Sequence, residues 1–161
     1  QEHPMTRTRT SLPRTAAFAA IGALALSACS TYGEGRQGLG YGTRLAANLS
    51  GPAEVGPGDA DGTGVFEASL DPGGELCYEL DVDAVAAPTG AHIHRGPAGE
   101  NGPVAVPLTA PAGGEPSAGC TAIDGELARE ILEDPDGFYV NVHNEQFPGG
   151  AVRGQIMAAG T

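Results

Sequence analysis

The chain has 161 residues, with 26 glycines, 13 prolines and no tryptophan, and its 20 acidic and 8 basic side chains give a net charge of −12. This much glycine and proline disfavours helix over most of the chain and favours short strands joined by turns. The negative charge repels nucleic acid and anionic lipid headgroups, so both are excluded as binding partners.

Residues 1–28 have the layout of a signal peptide. After Met5, the expected start, three arginines precede the apolar run AAFAAIGALAL, and the segment LSAC ends at Cys29. This order is typical of secretion, and the apolar run is too short to span a membrane. LSAC resembles the lipobox of bacterial lipoproteins, whose cysteine is acylated and becomes the first mature residue. We therefore expect an exported protein anchored in the bacterial cell envelope by a lipid on Cys29. The alternative is an ordinary signal peptide with a cysteine at its cleavage site.

Residues 29–42 are predicted to be a flexible tether, because they are rich in glycine and lack apolar periodicity. One domain then covers residues 43–158, which is long enough for a single core. From residue 29 onward the chain holds 5 basic and 19 acidic residues, a net charge of −14. We attribute most of this acidity to solubility.

Seven segments between residues 43 and 158 alternate apolar and polar residues, as strands with one buried face do. Turn-forming sequences such as GPGDADG, DPGG and APAGG separate several of them. This pattern predicts an all-β fold, an antiparallel Greek-key β-sandwich of immunoglobulin-like type. The predicted strands are RLAANLS, VFEASL, ELCYELDVDAV, AHIH, VAVPL, FYVNVH and AVRGQIM.

The segment DGELAREILEDPDG predicts one short helix of about two turns. Asp124 can cap its start, Leu127 and Ile131 have helical spacing, and Pro135 ends it. Its expected role is packing against the strands.

Cys77 and Cys120 remain once Cys29 is assigned to the lipid. Two remaining thiols in an exported protein favour a disulfide. The alternative is two buried free thiols.

The three histidines after residue 43 lie in two of the predicted strands. His92 and His94 are two residues apart and so share one face of a strand, and His143 ends another strand. Three imidazoles can bind copper or zinc, with Glu100 or Glu145 as an outer or fourth ligand. The alternative is that the His-x-His pair hydrogen-bonds the backbone of the following loop and shapes it. No catalytic residue is predicted, because the serines have no nucleophile context and the glycine-rich loops lack a phosphate-binding pattern.

Two long motifs in this order, AHIHRGPAGENGPVAVPL and FYVNVHNEQFPGGAVRGQI, resemble the chordin-type CHRD domain. The opening LAANLSGPAEVGPGDADGTGVFEASLDPGGELCYELDV also fits that family, so the resemblance covers residues 44–157. The cysteine pair departs from the pattern, since many members lack it. The resemblance implies an architecture first and a function only loosely: in animal chordin such domains accompany modules that bind growth factors.

The order His92, His94, His143, Arg153 is also similar to that of copper/zinc superoxide dismutases, which are Greek-key sandwiches with an anion-guiding arginine. This similarity implies a mononuclear copper site, possible redox activity and an anion-guiding role for Arg153. The bridging histidine and the zinc ligands of those enzymes have no counterpart here. The alternative role for Arg153 is a salt bridge to one of the many acidic residues.

The sequence therefore leaves two functions open. The first is a non-enzymatic interaction domain that binds a protein or ligand of the envelope. The second is a copper or zinc protein. For the first function, the expected interaction loops offer Arg95, Glu100, Asn101, Asn144, Glu145, Phe147 and Arg153.

Overall fold

The structure is a computed structural model that describes residues 41–160. The predicted signal peptide at residues 1–28, the lipidation site Cys29 and most of the tether lie outside the described residues. No helix of the described part is long and apolar enough to cross a membrane.

The described residues form strands, one α-helix and two short 3₁₀ turns at Gly51–Ala53 and Pro135–Gly137. The elements follow the predicted segments closely, with two strands more than the seven predicted: one lies at Ser117–Ala122, and the predicted segment AVRGQIM contains parts of two strands. They are β1 (Thr43–Ser50), β2 (Thr63–Leu70), β3 (Glu75–Asp83), β4 (Pro88–Arg95), β5 (Val104–Leu108), β6 (Ser117–Ala122), α1 (Gly125–Glu133), β7 (Phe138–Asn144), β8 (Val152–Gln155) and β9 (Met157–Ala158).

The strands form one curled antiparallel sheet in the order β5-β4-β7-β8-β1-β2-β3-β6, and β9 pairs with β1. The predicted all-β, antiparallel fold with one short helix is thereby confirmed. The Greek-key and immunoglobulin-like details stay predictions.

The apolar face of the sheet encloses the core. Strand residues that alternate with polar ones are buried in β1, β2, β3 and β7, as the sequence pattern predicts. Ala128 and Ile131 of α1 pack into the same core, and the Asp124 carboxylate accepts the N–H groups of Glu126 and Leu127, which caps the helix. The buried strand residues include Leu45, Leu49, Phe66, Leu70, Leu76, Leu80, Phe138, Val140 and Val142.

Strand β6 is the one that the sequence pattern missed, because SAGCTA has no large apolar residue to alternate. Cys120 of β6 lies directly opposite Cys77 of β3, and a disulfide joins them. The predicted bond is confirmed, and it ties an edge strand of the sheet to its neighbour.

The other face of β4, β7 and β8 carries polar side chains. His92 pairs with Asn141, and Asn141 pairs with Arg153 on the next strand. His94 likewise pairs with Tyr139. Directly opposed residues in an antiparallel pair project to the same side, so these side chains form one layer on the side of the sheet opposite the core.

Candidate metal-binding site

The three histidines of the described residues converge on this polar face. His92 and His94 alternate along β4 with the core residues Ala91 and Ile93, and His143 follows the buried Val142 on β7. One ring nitrogen from each histidine lies within 4.8 Å of the other two. Nδ1 of His92 and Nε2 of His143 are 3.2 Å apart. The strand pairing therefore brings together all three residues that the sequence singled out.

His94 also contacts the loop after β4. Its Nδ1 lies 3.0 Å from the carbonyl oxygen of Gly102. A carbonyl only accepts, so Nδ1 carries the proton, and in the neutral ring Nε2 then has a free lone pair. Nε2 of His94 is buried and has no hydrogen-bond partner among the described residues. The loop-shaping role of His94 uses Nδ1 and leaves Nε2 for a metal ion, so the two roles considered for this residue are compatible.

Burial favours the neutral form of the His92 and His143 imidazoles. Desolvation, followed by the proximity of His94, lowers the pKa of His92. Desolvation is also the main cause that lowers the pKa of His143, with His92 and His94 adding to it and the backbone of Pro148 opposing it. Neutral imidazole is the form that binds a metal ion.

An aromatic stack flanks the cluster. The ring of His94 is nearly parallel to that of Tyr139, at 8° with 4.9 Å between centroids. The guanidinium carbon of Arg153 lies 3.4 Å from the centroid of the Tyr139 ring. Tyr139 lies on β7, between β4, which carries His94, and β8, which carries Arg153. Its ring therefore contacts both residues.

Arg153 is only 1 % exposed, and its role differs from both expectations. It donates to the carbonyl oxygens of Pro97 at 2.9 Å and Glu100 at 2.8 Å, and to the side chains of Asn101 and Gln155, each at 3.3 Å. It forms no ion pair with any residue of the described part. Arg153 therefore holds the loop that follows β4 and does not stand at the surface as an anion guide.

Asn141 and Glu54 form a second polar pair on this face. Asn141 donates from Nδ2 to Oε1 of Glu54. Burial raises the pKa of Glu54 to about 7, against the opposing effects of the Asn141 hydrogen bond and the Arg153 charge. The sequence reasoning missed Glu54, Asn141 and Tyr139. The alternation of FYVNVH places Tyr139 and Asn141 on the face of His143, which is a signal for two of them, whereas nothing local marks Glu54.

The other predicted side chains make contacts outside the histidine cluster. Arg95 forms an ion pair with Glu130 of α1 and lies 5.2 Å from the centroid of Phe138. Asn144 is buried and accepts the N–H of Phe147 at 2.7 Å, so it shapes the turn after β7. Glu100 and Glu145 are exposed, and neither belongs to the group of converging ligand atoms.

The two predicted interaction loops meet beside Glu54. Asn101 of the first loop and Phe147 and Pro148 of the second line an open cleft of about 280 Å³, which Glu54 and Pro57 complete. The cleft therefore combines one carboxyl group with apolar and glycine-rich surfaces.

The fold and site define an all-β domain with a three-histidine cluster on the outer face of its sheet. The model of the CHRD domain family matches residues 45–156, and the chain belongs to that family. A comparison with curated proteins found no match, and a comparison with solved structures found none.

Proposed function

We propose that this CHRD domain binds one transition-metal ion, copper or zinc, through His92, His94 and His143. The convergence of the three ligand nitrogens within 4.8 Å carries the proposal. Ligands at about 2.0–2.1 Å from a tetrahedral ion lie roughly 3.3 Å from one another. The His92–His143 nitrogen separation of 3.2 Å already matches that spacing.

The chemistry of the donors supports the same proposal. Three neutral imidazoles suit copper and zinc, and copper binds such sites more tightly than zinc does. The buried lone pair on Nε2 of His94 has no protein partner among the described residues, and a metal ion would satisfy it. No carboxylate of the described residues joins the group, so the three imidazoles alone would hold the ion.

Metal content tests the proposal. The purified chain is incubated with copper or zinc salts and desalted, and its metal is measured beside a His94→Ala variant. We expect about one equivalent of copper on the parent chain and loss of that metal from the variant. Glu145→Gln, which changes an exposed residue outside the cluster, is the control and should retain the metal. Equal retention by His94→Ala and the parent would contradict the site.

The cleft beside Glu54 supports a second candidate function, an interaction domain of the envelope. Two loops that the sequence marked for interaction meet there, and Phe147 is half-buried in the cleft wall. A photocrosslinking amino acid at Phe147, irradiated in the native envelope, should give one discrete adduct that an exposed position on β2 such as Val65 does not give. Identical adduct patterns at both positions would contradict a specific partner.

We also propose that a lipid on Cys29 anchors the exported domain in the cell envelope. The support is the LSAC sequence after an apolar run with preceding arginines. A fatty acid carrying an alkyne tag should label the chain, and Cys29→Ser should abolish that label. Labelling that persists in Cys29→Ser would place the modification elsewhere.

A further inference from the structure

We propose that Tyr139, Gly102 and Arg153 act together as positioning residues for His94, holding its ring in the Nδ1–H tautomer so that Nε2 is available to the metal. The inference rests on the proposed metal site, because it concerns how one of its ligands is oriented. It predicts that residues without contact to the metal control how tightly the metal binds.

Gly102 contacts both rings through its backbone. Its carbonyl oxygen accepts the Nδ1–H of His94 at 3.0 Å, and its N–H donates to the Tyr139 hydroxyl oxygen at 3.2 Å. Stacking on Tyr139 sets the plane of the His94 ring, and the hydrogen bond to Gly102 sets its tautomer. Together these two contacts fix the orientation of the His94 ring and the position of its proton.

The position of Gly102 leaves no room for a side chain. A Cβ atom there would overlap the carbonyl oxygen of Arg95, so the loop passes directly against the end of β4. A residue with a side chain would push the backbone of residue 102 away from His94. Only glycine permits this close approach of the two segments.

Arg153 contacts both the loop after β4 and the ring of Tyr139. Its guanidinium covers the Tyr139 ring, and it donates to the backbone of Pro97 and Glu100 in the loop that leads to Gly102. The rigid fork of guanidinium donors suits these simultaneous contacts, and a lysine cannot reproduce them. The loop and the ring that orient His94 are therefore fixed to the same buried side chain.

The tautomer can be read without any metal. Long-range ¹H–¹⁵N NMR on the metal-free, ¹⁵N-histidine-labelled chain distinguishes a protonated from an unprotonated ring nitrogen. We expect His94 with Nδ1 protonated and Nε2 unprotonated. A dominant Nε2–H form in the parent chain would overturn the inference.

Tyr139→Phe removes only the hydroxyl that accepts the Gly102 N–H and keeps the stacked ring. We expect a mixture of His94 tautomers and about tenfold weaker copper binding. Tyr78→Phe is the matched control. Tyr78 is also buried, and its hydroxyl oxygen also accepts a backbone N–H, from Thr109 at 2.8 Å, but that bond lies just after β5 and not in the loop that contains Gly102.

The control separates positioning from general destabilisation. Equal changes in tautomer and copper affinity for Tyr139→Phe and Tyr78→Phe would overturn the inference. Arg153→Lys provides a second variant, and we expect it to weaken copper binding as Tyr139→Phe does. If the parent chain binds no copper, the metal proposal fails, while a tautomer change confined to Tyr139→Phe still supports the positioning role.

Discussion

Nδ1 of His92 and Nε2 of His143 lie 3.2 Å apart although the two residues are 51 positions apart in the chain. The register of β4 against β7 explains the contact. His143 pairs with Gly90, two residues before His92 on the same face, so the two imidazoles are diagonal neighbours. Gly90 has no side chain, which leaves the space opposite His143 open to both rings.

Substitutions at Gly90 test whether the two imidazoles need the space that its missing side chain leaves. A Cβ atom at position 90 would lie 3.5 Å from Cε1 of His92 and 3.9 Å from Cδ2 of His143, which are ordinary contact distances. We expect Gly90→Ala to leave copper affinity within about twofold, and Gly90→Leu, whose branched end must enter the space between the rings, to weaken it about tenfold or more. Isothermal titration calorimetry measures both, and equal affinity of the two variants would contradict this account.

The raised pKa of Glu54 predicts that the stability of the folded chain depends on pH. Its folded-state pKa of about 7 exceeds the ordinary 4.5, so between these values the folded chain holds a proton that the unfolded chain has lost. The free energy of unfolding therefore decreases as pH rises through this window. Since Glu54 is only about half buried, solvent screening reduces the expected contribution to about 1–2 kcal/mol.

Glu54→Gln isolates that contribution from those of His92 and His143, whose lowered pKa values act in the opposite direction below neutral pH. Urea denaturation of both chains between pH 5 and 8 should show the variant gaining stability relative to the parent as pH rises, by about 1 kcal/mol at pH 8. A constant difference between the two curves would show that Glu54 has an ordinary pKa.

The Cys77–Cys120 disulfide closes a loop of 43 residues. Its removal by Cys77→Ser with Cys120→Ser should lower the free energy of unfolding by about 2–4 kcal/mol, mainly because the unfolded chain gains freedom. Strands β3 and β6 are remote from β4 and β7 in the sheet order. We therefore expect the folded variant to keep its copper affinity. Weaker copper binding by a variant that circular dichroism shows to be folded would contradict the expectation that the disulfide does not affect the site.

Arg153→Met should destabilise the chain and loosen the loop after β4. The change leaves the carbonyl oxygens of Pro97 and Glu100 without their donor, and we expect a cost of about 2–4 kcal/mol. Hydrogen exchange should accelerate in residues 96–102 more than in β1 or β2. Uniform acceleration across the sheet would indicate a global effect and not a role in holding this loop.

The strands and the helix could be predicted because each leaves a local pattern. Alternation marks β3 and β7, and the capping aspartate and the spacing of apolar residues mark α1. Strand β6 has no such pattern, because its residues are small. The disulfide and the pairing with β3 hold it in the sheet. The order of strands in the sheet depends on contacts between distant segments, and no local spacing encodes it.

The candidate site was partly predictable for the same reason. His92 and His94 share a face because strand geometry has a period of two, and His143 follows the same rule on β7. Gly102 acts through its backbone, and Glu54 acts through its carboxyl group from the segment between β1 and β2. Neither position follows a sequence periodicity. Arg153 looked like a surface cation, yet the loop that buries it lies more than 50 residues earlier in the chain.

The most direct test of the metal site is X-ray absorption at the copper edge, recorded on the copper-loaded chain and on His143→Ala. The account predicts three imidazole nitrogens at about 2.0 Å from copper in the parent chain and two in the variant. Fewer imidazoles in the parent, or an identical spectrum from His143→Ala, would contradict a site built from His92, His94 and His143.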